Sequence, residues 1–502
     1  LNFKTIMAGQ KTDLWYFSDR DGSSLSIDAL GGTGPRGARR EVKTVEMLLT
    51  ADVTDRLSFI AGYHYFDDEV QSGQRSQNGC LAILERNFEE FSDPNSTLRI
   101  PCEPDGGTQF DRLADRTASG GPGVSGRDGY EVNDSDAIFA HLTYDLTDNW
   151  AMDIGTRWTD EQRIFHQLEW GTEPGTCTHT QPGDAPATAL CDPDYVLSYV
   201  ALRDGFYNNS ELKFSEMTPM LSFTRSLAPG NTLEDGMIYL SYAEGFLAGA
   251  FNDELNANYN PQLAPLLTYD PEHVNNFEVG FKGTMLDGRL RIASAVFFMD
   301  YQNKQETVTI ENQDGRYGPD PSLQITANAA TVDIYGFELE VRAQPWDGGF
   351  LTIDLGRLDN EYGDYAAFDP DAGTAVDRSN LTIEDYSPDW TLNASIEHVF
   401  QLPNGASITP TVGMYWQDDY DFVEGIDRNS PVSYCFQPAY SKLRGRVTYL
   451  PASANWQASL FGSNINDETY FEICGAARAG AFDYRYGNPQ VFGLEFQYFW
   501  GG

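Results

Sequence analysis

No run of about 18 apolar residues occurs in this chain, so the sequence predicts no membrane-crossing helix. That absence leaves a membrane barrel open, because a barrel strand alternates in polarity and scores low on hydropathy. Positive charge is also scarce. Lys and Arg number 33 against 75 Asp and Glu, a formal charge of -42. Binding to a phosphate backbone needs a basic footprint, so a nucleic-acid partner is excluded. An acidic chain can be disordered for want of apolar surface, but 13% of these residues are aromatic. The charge therefore belongs in solvated loops or a solvated interior. Metal-ligand spacing is lacking too: there is no Cys-x-x-Cys and no Cys/His pattern of a zinc site. His64, His141, His166, His179, His273 and His398 are scattered, none in a His-x-x-x-His spacing. No set of residues forms a catalytic constellation, and the expectation is a protein that is not an enzyme and holds no metal or cofactor. The chain opens at Leu1 without a basic region or an apolar stretch behind it. This predicts either a removed signal peptide or a missing N-terminal part.

What is present is a period of two. A length of 502 residues exceeds one ordinary globular core and calls for several domains, a repeat or a large barrel. In the last strand Phe492, Leu494, Phe496, Tyr498 and Trp500 fall on one face, with Val491, Gly493, Glu495, Gln497 and Phe499 on the other. Ile138, Ala140, Leu142, Tyr144 and Leu146 oppose His141, Thr143 and Asp145 in the same way. Trp150, Met152, Ile154 and Trp158 oppose Asp153, Gly155 and Arg157, and Phe337, Leu339 and Val341 oppose Glu338, Glu340 and Arg342. That last charged row excludes a dry sandwich core on its face. Aromatics gather near strand ends, at Trp150, Trp158, Tyr239, Tyr242, Trp416, Tyr498 and Trp500, as in the interface girdles of membrane barrels.

Connections alternate in length. Short ones lie at Leu286–Arg289, Asp347–Gly349, Asp148–Asn149 and Leu402–Gly405. Long ones run over Asp67–Asp134, Gln162–Ser210, Gly245–Asp270, Gln302–Asn328 and Asp359–Pro388. Short turns on one rim and long loops on the other are the outer-membrane arrangement, and structureless loops of this length are unusual in a soluble domain. The pattern predicts an all-β antiparallel transmembrane barrel with roughly 17 strands present. The cysteines lie in turn-rich segments, which points to disulfides in an oxidising compartment. Cys80 with Cys102 and Cys177 with Cys191 are the local pairings, and Cys435 with Cys474 follows by elimination. Spacing alone does not prove this connectivity.

Several segments, in order, resemble the barrel of the TonB-dependent outer-membrane receptors. They are Ala137–Asp148 with Gly155–Thr159, Tyr239–Phe246, Pro271–Glu272 with Phe277–Lys282, Leu286–Leu290 and Val296–Tyr301. Asn328–Ala330 with Gly336–Glu340, Asn464–Tyr470 and the terminal strand complete the series. Each is weak alone, and their order carries the resemblance. It implies import of a scarce, bulky nutrient, most often a ferric siderophore, across the bacterial outer membrane, driven through the TonB complex. It also implies outer-membrane lipid around a monomeric barrel whose long loops are extracellular. Such transporters have a plugged lumen and 22 strands. No plug and no TonB-contacting segment precedes the strand-like stretch Phe3–Ala8, and about five strands are lacking, so residues 1–502 are expected to be the C-terminal part of such a barrel. Barrel assembly in this family usually reads a C-terminal aromatic, and here Gly501 and Gly502 follow Trp500.

Binding is the chemistry to look for. Trp416, Tyr420, Phe422, Tyr434 and Phe436 are candidates for an aromatic ligand platform, with an interface girdle as the competing role, above all for Trp416. Glu278, Lys282, Glu338, Glu340 and Arg342 are expected to face the lumen, against a plug or as plain solvated wall. Two acidic stretches invite a hard cation such as Ca²⁺. One holds Asp364, Asp369, Asp371 and Asp377, and the other Asp418, Asp419, Asp421, Glu424 and Asp427. Neither has the spacing of an EF-hand, and solvated loop is the plainer account. An acidic mouth would also steer a cationic ligand. Competing functions are a passive porin-like barrel, an importer of cobalamin or oligosaccharides, and a secreted all-β enzyme acting on carbohydrate.

Overall fold

The computed structural model describes residues 1–14, 17–19, 28–31, 38–78, 124–171, 208–230, 232–252, 255, 261–312, 322–369, 374–377, 379, 387–422, 435–476 and 482–500. Sixteen long strands follow one another: β1 (Asn2–Leu14), β2 (Ala38–Thr54), β3 (Leu57–Asn78), β4 (Val124–Thr147), β5 (Trp150–Gly171), β6 (Asn208–Leu227), β7 (Leu233–Leu247) and β8 (Glu272–Met285). They continue as β9 (Leu290–Glu311), β10 (Ser322–Ala343), β11 (Gly349–Asp369), β12 (Trp390–His398), β13 (Ser407–Gln417), β14 (Tyr440–Leu450), β15 (Trp456–Ser463) and β16 (Val491–Tyr498). Each pairs antiparallel with its neighbour in sequence, from β1 with β2 to β15 with β16. With four short extensions they make one 20-stranded sheet. Among the described residues no ladder joins β1 to β16.

The fold class and the approximate strand number agree with the sequence pattern, but the strands run further than the pattern shows. β3 reaches Asn78 and β4 begins at Val124, inside the stretch expected to be loop from Asp67. β9 and β10 likewise extend to Glu311 and from Ser322. The physical reason lies in solvation. Past the aromatic row no single face has to be apolar throughout, so alternating polarity is not enforced, although the backbone ladder continues.

The two faces of the sheet differ in chemistry. On one, apolar side chains stand exposed, among them Ile138, Leu142, Ile154, Leu240, Val279, Val296, Val412, Leu460 and Leu494. Tyr242, Phe277, Phe298 and Tyr335 are successive register partners on β7 to β10. Their rings form a row across this face, with centroids 4.8, 6.4 and 4.8 Å apart. Near the short-turn end a second aromatic group joins Tyr449, Trp456 and Phe496, each 5.6 Å from the next. An apolar band between two aromatic belts is what a bilayer requires of a barrel exterior.

A small apolar core lies beyond the aromatic row, at the long-connection end. Val332 and Tyr362 share the face of Glu338 and Gly356, and there they pack with Val308, Ile325 and Tyr365 against Leu255, Leu263 and Leu267. The last three belong to the connection between β7 and β8, which carries a short 3-10 helix, Pro261–Leu266. The Asn252 amide fastens this segment to β10, donating to the Thr326 carbonyl at 2.8 Å and accepting from the Thr326 amide at 2.8 Å. Gly245–Asp270, expected from the sequence as a long connection, is therefore packed in part onto the sheet. The closely spaced Leu263, Leu266 and Leu267 were the signal available for this packing.

Candidate functional site

The polar face of the sheet holds a hydrogen-bonded wall. On β4 and β5, Thr143 donates to the Asp153 carboxylate at 2.6 Å and the His141 ring lies 3.1 Å from the same oxygen. On β7 and β8, the Tyr239 hydroxyl donates to Glu278 at 2.5 Å, and the Lys282 ammonium sits 5.7 Å from the Tyr239 ring centre. Arg342 on β10 meets Asp354 on β11 at 2.6 Å, and Asn393 on β12 donates to the same carboxylate at 3.4 Å. Thr411 on β13 donates to Glu397 at 2.8 Å. Glu338 and Glu340 stand exposed on this face, in register with Ala295 and Ala293. Glu278, Lys282, Glu338, Glu340 and Arg342 thus share one polar surface, as the period of two required.

The aromatic candidates are not brought together. Trp416 has the parity of Val412 and so lies on the apolar face. Tyr420 and Phe422 are buried around the Cys435–Cys474 disulfide, with Phe471 and Tyr484 against them. Phe436 pairs with Asp421 in a short ladder beside that core. Tyr434 lies outside the described residues, as do Cys80, Cys102, Cys177 and Cys191. The aromatics that do converge on the polar face are others: Tyr415, Tyr440 and Tyr470. Tyr440 stacks on Tyr470 with centroids 4.8 Å apart, and Tyr415 lies 6.2 Å from Tyr440. Tyr415 also donates to the buried Gln417 at 2.7 Å. The alternation around Trp416 was the clue, since it puts Tyr415 on the opposite face.

The disulfide ties the β13–β14 connection to the segment after β15, at a sequence separation of 39. Loop-closure entropy in the unfolded chain sets its contribution at about 2–4 kcal/mol. Cys435→Ser is therefore expected to loosen the Tyr420–Phe422–Tyr484 core before the sheet itself. Limited proteolysis with mapping of the first cuts checks this. First cuts elsewhere, with this core intact, would speak against it.

The acidic stretches are only partly within view. Asp364 and Asp377 line an open pocket of about 310 Å³ with Ala329, Gly363, Tyr365 and Ser379. The Ser379 amide donates to Asp377 at 2.9 Å and holds that carboxyl below its usual range. Asp371, Glu424 and Asp427 lie outside the described residues, and the Asp369 side chain is likewise undescribed. Desolvation by the surrounding protein and the nearby Asp418 and Asp359 carboxylates push Asp389 up. Among the described residues no group of three or more His, Cys, Asp or Glu is placed to hold a metal ion.

Residues 10–466 match the family model of the TonB-dependent receptor-like β-barrel. The chain belongs to the TonB-dependent receptors. This family comprises outer-membrane receptors and transporters rather than enzymes. One curated relative, the probable TonB-dependent siderophore receptor PiuA of Acinetobacter baumannii, is 29% identical over 133 residues, covering 26% of this chain and 16% of the relative. The crystal structure of the siderophore receptor PiuA from Acinetobacter baumannii superposes with a TM-score of 0.59 at 15% identity, over 98% of this chain and 61% of that one. The ferric yersiniabactin uptake receptor FyuA of Yersinia pestis gives 0.52 at 12% identity, over 93% and 60%. The chain thus spans about three fifths of the length of these solved receptors, and at such identities the likeness is one of fold.

Proposed function

We propose that this barrel belongs to a receptor that imports a ferric siderophore across the outer membrane, with energy delivered by the TonB complex. The match of residues 10–466 to the receptor barrel carries the reading, and the siderophore receptors among its relatives supply the cargo class. In this reading the polar face lines the lumen and the apolar face meets lipid. The long connections stand on the extracellular side, where a ligand arrives, and the short turns on the periplasmic side. Binding, rather than bond-making, is the chemistry of the wall. A gene-deletion strain grown under iron limitation on a panel of ferric siderophores tests this. One or more siderophores are expected to fail as iron sources for the deletion strain and to be restored by the gene only when TonB is present. Unchanged use of every iron source, with a defect on cobalamin or oligosaccharides instead, would move the receptor to another cargo.

A further inference from the structure

Strand β14 carries Tyr440, Lys442, Arg444 and Arg446 at a spacing of two, all on the polar face. Three cations in a line on one strand stand out in a chain with 33 basic and 75 acidic residues. Their compensation changes along the strand. Farthest from the long connection, Arg446 is neutralised by Glu495 at 2.5 Å and is in register with Thr411, the partner of Glu397. One step up, Arg444 is exposed and its guanidinium donates to a neutral amide oxygen, Asn393 Oδ1, at 3.1 Å. Gly413 makes that reach possible, because a Cβ there would lie 2.5 Å from Arg444 Nε. At the top, Lys442 has no carboxylate partner among the described residues. Its ammonium lies 4.3 Å from the Tyr470 ring centre, 5.2 Å from Tyr415 and 5.6 Å from Tyr440. Ring faces steady a cation without neutralising it. Among the described residues Asp354 is engaged by Arg342 at 2.6 Å and Glu472 by Arg485 at 3.2 Å.

Resting on the import reading above, we propose that Lys442 and Arg444, backed by Tyr415, form a subsite for anionic oxygens, and that the cargo is a metal chelate of net negative charge. Two residues along a strand set the two Cα atoms about 7 Å apart, so the two long side chains can reach two anionic groups of one chelate. A neutral or cationic chelate gains nothing from two cations that lack a carboxylate partner among the described residues. The overall acidity of the chain points towards a cationic ligand, but Coulomb energy falls with distance and is screened by salt beyond about 10 Å. The local pair therefore decides at contact.

The test is equilibrium binding to the full-length receptor in outer-membrane vesicles. The probes are trianionic ferric tris-catecholate, anionic ferric citrate, neutral ferric tris-acetohydroxamate and iron-free benzene tricarboxylate. At least one anionic ferric chelate is expected to bind more tightly than the neutral one, and to weaken about tenfold in each of K442Q and R444Q. Which anionic chelate binds separates catecholate from carboxylate oxygens. K442R should restore affinity, which a misfolded variant would not. Equal affinity for the neutral chelate, or full affinity in both Gln variants, overturns the proposal and leaves iron import standing. Binding of the tricarboxylate alone, with the same dependence on Lys442 and Arg444, keeps the subsite and removes the iron reading. Failure of every probe to bind the parent receptor overturns both.

Discussion

Val296→Arg is expected to cost the membrane-embedded sheet about 2 kcal/mol or more. Val296 is 59% exposed on the apolar face and lies in register with Val279 and Phe337. It sits one same-face step, about 7 Å, inside the aromatic row that contains Phe298. A guanidinium there faces hydrocarbon, and the aromatic row limits how far it can reach back to water. Ser241→Lys supplies the control. Ser241 is in register with Glu278 on the polar face, so the new ammonium gains a carboxylate neighbour and contact with water. The pair is best compared by urea unfolding in phospholipid vesicles, scoring midpoints at constant slope. The Arg variant should lose stability and the Lys variant should stay near the parent. Equal stability of Val296→Arg and the parent would mean that this face does not meet lipid.

That contrast explains why the fold was legible and the binding wall was not. Where lipid lies on one side and water on the other, selection acts on every second residue. Phe337, Leu339 and Val341 against Glu338, Glu340 and Arg342 then read directly as a strand with two faces. Beyond the aromatic row no single face has to be apolar throughout, so the continuation of β3 to Asn78 carries no such mark. Parity told correctly that Glu278 and Lys282 share a surface. It gave no information on which aromatics meet across strands. Tyr415 and Tyr440 lie on adjacent strands, but Tyr470 arrives from a turn after β15, and only the register brings the three rings around Lys442. Tyr420 and Phe422, neighbours of Trp416 in sequence, are drawn away into the disulfide core because Cys435 and Cys474 fold their own small unit. Residue type marked these aromatics as candidates, while cross-strand position decides what each can touch.

Gly336→Val is the other large effect expected, and it acts through packing rather than charge. Gly336 on β10 is buried and in register with Phe297 on β9. The far end of the Phe297 ring covers it, so a Cβ at position 336 would fall 1.9 Å from Phe297 Cζ and 2.3 Å from Cε2. Carbon atoms cannot approach so closely, and either the ring must leave or the two strands must part. Ring displacement is the easier course, but it disturbs the neighbouring Glu278, which is also in register with Phe297. Overpacking of this kind costs about 1–3 kcal/mol. Residues in contact couple, so removing the ring should relieve the clash. Phe297→Ala alone is expected to destabilise through lost cover over the glycine, whereas the double variant Gly336→Val, Phe297→Ala should be more stable than the sum of the two single losses predicts. Urea unfolding of all four proteins closes the cycle. Simple additivity would show that the ring does not rest on the glycine. A favourable coupling would place the steric contact, rather than the backbone freedom of glycine, as the reason for the missing side chain, since Gly336 lies within an ordinary strand where any L-residue backbone is allowed.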